Sequence, residues 1–175
     1  MKAKRIGTIL LAMALLLSLL ICVIACDDTS NVPAEEDKPE TYGTYTVKYR
    51  DTVIELGKEA SSVLESLGEP SAKQFVASCG EGAGDQWRYT YSSLYLFTVK
   101  TDAGEIVDAV ALRDDIAKTG KGLTVGSTES EITAAYGEPT AKQGSKVRYT
   151  TDTYTMEFVL DDAGTVKTVE MRVES

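Results

Sequence analysis

Leu67-Gly68-Glu69-Pro70-Ser71-Ala72-Lys73-Gln74 returns 69 positions later, without a gap, as Tyr136-Gly137-Glu138-Pro139-Thr140-Ala141-Lys142-Gln143. Gly57 and Gly126 keep the same spacing. Further along, Arg88-Tyr89-Thr90 answers Arg148-Tyr149-Thr150, and Asp102-Ala103-Gly104 answers Asp162-Ala163-Gly164, now at an offset of 60. About nine residues are therefore extra in the first copy, and they fall in the stretch 75–87. A motif this long matching twice in one chain marks an internal repeat.

The residues around the motif say what each copy builds. Ala60, Val63, Leu64 and Leu67 stand at i, i+3, i+4 and i+7, the apolar stripe of one helix. The second copy opens a helix at Thr128 with Glu131 three residues on, a capping box, and offers Ile132, Ala135 and Tyr136 for burial. Gly68 and Gly137 end the helices in a left-handed residue, and prolines two positions later forbid resumption. Strands follow: Arg88–Tyr91 and Tyr95–Val99, with Tyr154, Met156, Phe158 and Leu160 alternating in the second copy. The Asp-Ala-Gly turns lead into Ile106–Leu112 and Val166–Val173. Phe97 and Val99 read as the inward set although Leu96 matches Met156, which implies a one-residue slip or bulge between the copies. Before the first helix, Tyr45, Val47 and Tyr49 alternate, and Arg50-Asp51-Thr52 turns the chain into Val53–Leu56. The chain thus reads as α+β: two tandem helix-plus-antiparallel-meander repeats, 44–113 and 114–175, preceded by an N-terminal hairpin. Units of this size bury their surface poorly alone, so the copies are expected to share a sheet or core.

The N-terminus is of another kind. Met1-Lys2-Ala3-Lys4-Arg5 is basic, and Ile6 to Ala25 carries no charge, the layout of a secretory signal over 1–25. The run ends Val23-Ile24-Ala25-Cys26-Asp27-Asp28, which resembles a bacterial lipobox. That resemblance implies a diacylglyceryl group on the Cys26 thiol, cleavage before it, and acylation of the new amino terminus. Each buried methylene adds about 0.8 kcal/mol, so two or three chains anchor where one does not. The alternative is an uncleaved membrane helix, since about 18–20 apolar residues suffice to span a bilayer. A span does not explain Ala-Cys followed at once by two aspartates. Cys22 fits the lipobox less well because the residue before it, Ile21, is not small. On either reading the body lies outside the cytoplasm. Residues 26–43 are acidic and without apolar periodicity, a flexible tether.

Composition excludes several classes of function. The formal net charge is −9, and loss of Lys2, Lys4 and Arg5 with the leader takes it to about −12. A body this acidic has no footprint for nucleic acid. There is no histidine, which removes the commonest general base and metal ligand together. With Cys22 in the leader and Cys26 lipidated, Cys79 stands alone, so no internal disulfide forms. It reads as a small buried hydrophobe or as a free thiol.

Gly-Glu-Pro after a short helix, then a tyrosine-rich meander, the whole repeated, resembles the β-lactamase-inhibitor-protein-like (BLIP-like) fold over residues 54–175. The small outer-membrane-assembly lipoproteins share this helix-then-meander unit. The opening hairpin and Ser78-Cys79 also resemble a group of lipoproteins of Gram-positive-type bacteria. In the inhibitor family two such repeats form a concave sheet that grips a protein. Those repeats are usually stapled by disulfides, which this chain lacks, so no inhibitory residue carries over.

Little catalytic chemistry is offered. The stretch 75–87 has Gly80, Gly82 and Gly84 but lacks the Lys-Ser/Thr ending of a P-loop, and Glu81 and Asp85 would repel phosphate. It lacks EF-hand ligand spacing too. Asp114-Asp115 and Asp161-Asp162 read as solvated turns. The aromatic residues remain: nine tyrosines and one tryptophan, concentrated near the strands. Rigid amphipathic rings are favoured at interface centres. Trp87, Tyr89, Tyr91 and Tyr95 are accordingly the candidate binding residues, although half of the strand tyrosines should pack inward. The expected role is a lipid-anchored, extracytoplasmic protein-binding module using an aromatic sheet face and the 75–87 loop. Two alternatives stay open: an envelope-assembly scaffold, and a small-ligand or glycan sensor or hydrolase. No enzyme activity, cofactor, metal or nucleic-acid partner is expected.

Overall fold

The computed structural model describes residues 43–77 and 86–174. The leader, Cys26, the tether up to residue 42 and Cys79 lie outside the described residues. In chain order the elements are β1 (Thr46–Tyr49), β2 (Thr52–Glu55), α1 (Ala60–Leu67), β3 (Ala72–Val76), β4 (Gln86–Thr90), β5 (Leu94–Thr101), β6 (Gly104–Leu112), β7 (Lys118–Thr119), α2 (Glu129–Tyr136), β8 (Ala141–Gln143), β9 (Lys146–Thr150), β10 (Tyr154–Leu160) and β11 (Val166–Val173). This is an α+β fold, mostly antiparallel strand. Among the described residues no helix is long and apolar enough to cross a membrane.

Eight strands form one sheet in the order β3-β4-β5-β6-β11-β10-β9-β8. The order is that of two four-strand meanders whose last strands, β6 and β11, pair antiparallel at the centre, Leu112 opposite Val169 and Ala109 opposite Arg172. The hairpin β1–β2 does not join them. It makes a separate three-stranded sheet with β7, a two-residue strand that the sequence pattern did not announce. Gly120, just after β7, lies so close to the chain before β1 that a Cβ there would stand 2.0 Å from the Gly43 carbonyl oxygen, so only glycine fits.

Both helices form and end as their residues dictate. Thr128 caps α2, accepting from the Glu131 N–H at 3.3 Å while the Glu131 carboxylate accepts from the Thr128 N–H at 2.7 Å. Gly68 and Gly137 close the helices at φ 72° and 80°, with ψ near −159° in both, backbone that glycine alone adopts readily. Their carbonyls are then held from the sheet: Tyr91 Oη donates to Gly68 at 3.3 Å and Tyr149 Oη to Gly137 at 2.8 Å. Helix α1 packs on β2 and β6 through buried Ala60 and Val63. Helix α2 buries Ile132, and its Tyr136 ring lies 5.8 Å from that of Phe158.

One face of the large sheet is the core. Directly paired residues share a face, and the row Tyr89–Leu96–Val110–Met171–Met156–Tyr149 runs buried from β4 to β9. The inward set of β5 is Leu94, Leu96 and Thr98, all fully buried, which corrects the assignment of Phe97 and Val99 to the core. The alternation in β5 and β10 stays in step, with Leu96 and Met156 both inward. The one-residue shift falls a strand later. Core positions are Val107, Val110 and Leu112 in β6 but Val166, Val169 and Met171 in β11, an offset of 59 rather than 60. Each strand also carries a pairing irregularity, opposite Phe97/Thr98 in one and Val159/Leu160 in the other. An extra residue restores the inward alternation and turns its neighbour to the other face.

Candidate binding face

The second face of the large sheet points away from the helices. Two rows, read across the strand registers, define its centre. One runs Arg88–Phe97–Ala109–Arg172–Thr155–Thr150, the other Thr90–Tyr95–Ala111–Glu170–Glu157–Arg148. Ala109 and Ala111 are shaded by the longer side chains on either side and form a low floor along β6. The Tyr95–Phe97 side is aromatic and the Glu157–Arg172 side is charged.

On the aromatic side Tyr95 is held between two guanidiniums. Arg88 Cζ lies 5.2 Å and Arg113 Cζ 4.7 Å from its ring centroid, within the range of cation–π attraction. Arg88 also donates to the Gln74 side-chain oxygen, and Arg113 donates to the Tyr91 carbonyl at 3.0 Å. The Arg88 Nε is buried without a hydrogen-bond partner. On the charged side Arg148 grips Glu157 with Nη2 at 2.6 Å and Nε at 3.1 Å, and Lys146 adds a third contact at 2.8 Å. Burial would raise the Glu157 carboxyl, but these hydrogen bonds outweigh it and hold the group below its usual range. Asp108, at the β6 irregularity, goes the other way. Burial pushes its carboxyl up against a 2.7 Å hydrogen bond from Gln86 Nε2 and the nearby Arg172 charge. A shallow groove of roughly 250 Å³ lies among Lys146, Arg148, Thr155, Glu157, Glu170 and Arg172. It is smaller than the ~300–1,000 Å³ that enclosed ligand sites occupy.

The four candidate binding residues are not brought together. Tyr89 and Tyr91 are each only 5% exposed and serve the core. Tyr89 Oη donates to Glu105 at 3.0 Å, and Tyr91 secures the end of α1. Trp87 lies on the same core side as Tyr89, half-buried, with Lys73 Nζ 4.8 Å above its ring and Phe75 packed edge-on. Tyr95 alone of the four faces outward, because Trp87, Tyr89 and Tyr91 share one parity in the strand and its continuation while Tyr95 takes the other face of β5. The loop expected over 75–87 is shorter: Phe75 and Val76 extend β3, and Gln86 and Trp87 begin β4. The sequence pattern missed Phe97, Arg88, Arg113 and Arg172. The alternation of Leu94, Leu96 and Thr98 was the signal that could have placed Phe97 outward.

The acidic turns are turns. Asp114 Oδ1 accepts from the Ile116 N–H at 3.0 Å, and Asp161 Oδ1 accepts from the Ala163 and Thr165 N–H groups at 2.9 Å each. Among the described residues no cluster of three or more His, Cys, Asp or Glu side chains is arranged for a metal ion.

No protein-family model matches the chain, and no curated protein matches it. A solved structure that is similar is that of a DUF4309 family protein (YjgB) from Bacillus subtilis, at 14% identity, covering 69% of this chain and 82% of that one with a TM-score of 0.40. A likeness this distant bears on neither fold nor function.

Proposed function

We propose that this chain is a lipid-anchored, extracytoplasmic protein-binding module, tethered through Cys26, whose large sheet receives a partner on its helix-free face. On this reading the sheet is two tandem BLIP-like helix-plus-meander repeats joined edge to edge through β6 and β11. The observation that carries the reading is one-sidedness. Both helices and the buried core lie on one face, while the other presents Tyr95, Phe97 and five cations with no described element over them. Large half-exposed aromatic and arginine side chains around a small-residue floor are what protein interfaces favour.

The test is site-specific photo-crosslinking in the native membrane. A crosslinker at Phe97 or Glu170 should trap a discrete adduct, and one at Ser66 on α1 should not. Adducts from Ser66 alone would overturn the reading. If the adduct is an integral membrane complex, the envelope-scaffold alternative takes over. The hydrolase alternative has one observation in its favour, the cross-strand pair Glu157 and Glu170 in the groove. Against it, Glu157 is already engaged by Lys146 and Arg148 within the fold. For the anchor, Cys26→Ser should leave the chain unprocessed or release it. Unchanged size and membrane retention would retire lipidation.

A further inference from the structure

The charge on the open face runs against the charge of the chain. Its cations are Arg88, Arg113, Lys146, Arg148 and Arg172, and its carboxylates are Asp108, Glu157 and Glu170. The face is therefore net positive by about two charges, on a chain of formal net charge −9. The cations are not equivalent. Lys146 and Arg148 are both committed to Glu157. Arg88, Arg113 and Arg172 form no ion pair among the described residues, and Arg88 leaves a buried Nε unsatisfied. These three surround the floor: Arg172 lies directly opposite Ala109, while Arg88 and Arg113 flank Tyr95, whose partner is Ala111.

We infer that the partner received by this face is an acidic protein surface, one that sets an apolar side chain against Tyr95 and Phe97, over the Ala109–Ala111 floor, and carboxylates on either side, toward Arg88/Arg113 and Arg172. The inference rests on the open face being the receiving surface, as proposed above. Strands stand about 4.8 Å apart, so Arg88 and Arg172 begin about 14 Å from each other across Phe97 and Ala109. That span fits an apolar residue with acids on both sides. A uniform polyanion fits less well. It would meet Asp108 and Glu170 unfavourably and would gain nothing from Phe97 and the alanine floor. Guanidiniums that are already fixed by stacking on Tyr95 lose little freedom when they take up a carboxylate.

The experiment uses the full chain in detergent micelles and four synthetic polymers: a Glu–Tyr copolymer, polyglutamate, polyphosphate and a Lys–Tyr copolymer. The Glu–Tyr copolymer should bind best and should shift the amide resonances of Ala109 and Ala111. Arg172→Gln should weaken it about tenfold and Arg172→Lys much less. Should Arg172→Gln unfold the chain, Arg113→Gln, on an exposed residue, serves in its place. Polyphosphate binding as tightly, the Lys–Tyr copolymer binding better, or no Glu–Tyr binding would each overturn the inference. The two proposals fail separately. Phe97 crosslinks that the Glu–Tyr copolymer does not suppress would leave the receiving face standing and remove its acidic partner. Crosslinks from the helix side alone would remove both.

Discussion

Arg88 and Arg148 stand 60 positions apart in matching sequence and on matching strands, β4 and β9, yet they meet different chemistry. The residues at the same offset on the next strand decide it: Tyr95 and Phe97 in the first half, Thr155 and Glu157 in the second. Arg148 closes on a carboxylate at 2.6 Å, and its charge is neutralised within the fold. Arg88 lies 5.2 Å from an aromatic centroid, which attracts a cation without cancelling it, so its charge stays available to another molecule. Two strand positions that match in sequence thus each carry an arginine, and two differences on the neighbouring strand separate a structural ion pair from a candidate contact.

The largest difference between the halves is in the core. Phe158, fully buried, stands where the first half has Thr98, equally buried and donating to Glu105 Oε1 at 2.5 Å. Phe158→Ala should cost about 3–5 kcal/mol, because it empties a ring site that Tyr136 and Tyr149 both touch. Thr98→Ala should cost about 1–2 kcal/mol, since Glu105 keeps the Tyr89 hydroxyl. Urea unfolding of both variants measures the gap, and equal costs would break the comparison.

On the open face, Phe97→Glu should make the first half resemble the second. A carboxylate would then stand opposite Arg88 as Glu157 does opposite Arg148. Stability should change by less than about 1 kcal/mol, because half-exposed ion pairs contribute little. Binding of the Glu–Tyr copolymer should fall about tenfold, or about 1.4 kcal/mol, as the free arginine is neutralised and the apolar stripe interrupted. Undiminished binding would place the contact elsewhere.

The helix starts differ by a smaller amount. Thr128 caps α2 through its side chain, whereas Glu59 before α1 makes no side-chain cap. Thr128→Ala should therefore cost about 1 kcal/mol and Glu59→Ala close to nothing, measured again by urea unfolding. Helix α1 instead depends on its wider buried stripe.

Local signals were legible where they depend on neighbours in sequence. The capping box at Thr128, the glycine stops at Gly68 and Gly137, and the Arg50 turn all sit where their residues put them, Arg50 at φ 55°. What failed was the choice of face. Trp87, Tyr89 and Tyr91 are large, amphipathic and close together in sequence, so they look like one surface. Their parity along the strand puts all three on the core side, and the Tyr89 and Tyr91 hydroxyls find Glu105 and the Gly68 carbonyl instead of solvent. Phe97 was misread for the converse reason: the one phenylalanine of β5 lies half-buried on the outer face because buried Thr98, bonded to Glu105, takes the inward place. The arginines could not be placed at all, since Arg172 reaches the Ala109 floor only through the β6–β11 pairing, a contact between residues more than sixty positions apart.

The smallest effect separates the halves by pH. Asp108 and Glu157 lie on the same face with opposite shifts, the first raised by burial and the second lowered by Lys146 and Arg148 despite burial. For Glu157 the charged form is favoured in the folded chain. Its stabilisation is therefore full above the ordinary value of 4.5 and is lost as pH falls through the lower folded value. For Asp108 the protonated form is favoured. Its contribution is full below the ordinary value of 3.8 and is lost as pH rises through the higher folded value. The two windows adjoin near pH 4, so wild-type stability should change little there while the single variants pull apart. Asp108→Asn should stabilise the chain slightly at neutral pH and lose that advantage in acid, keeping the Gln86 hydrogen bond through its side-chain oxygen. Glu157→Gln should be slightly destabilising at neutral pH and neutral in acid. Carboxyl titration by NMR tests each shift directly: Asp108 must titrate above its reference of 3.8 and Glu157 below its reference of 4.5, and unshifted midpoints would mean that the two sides of the face are electrostatically alike.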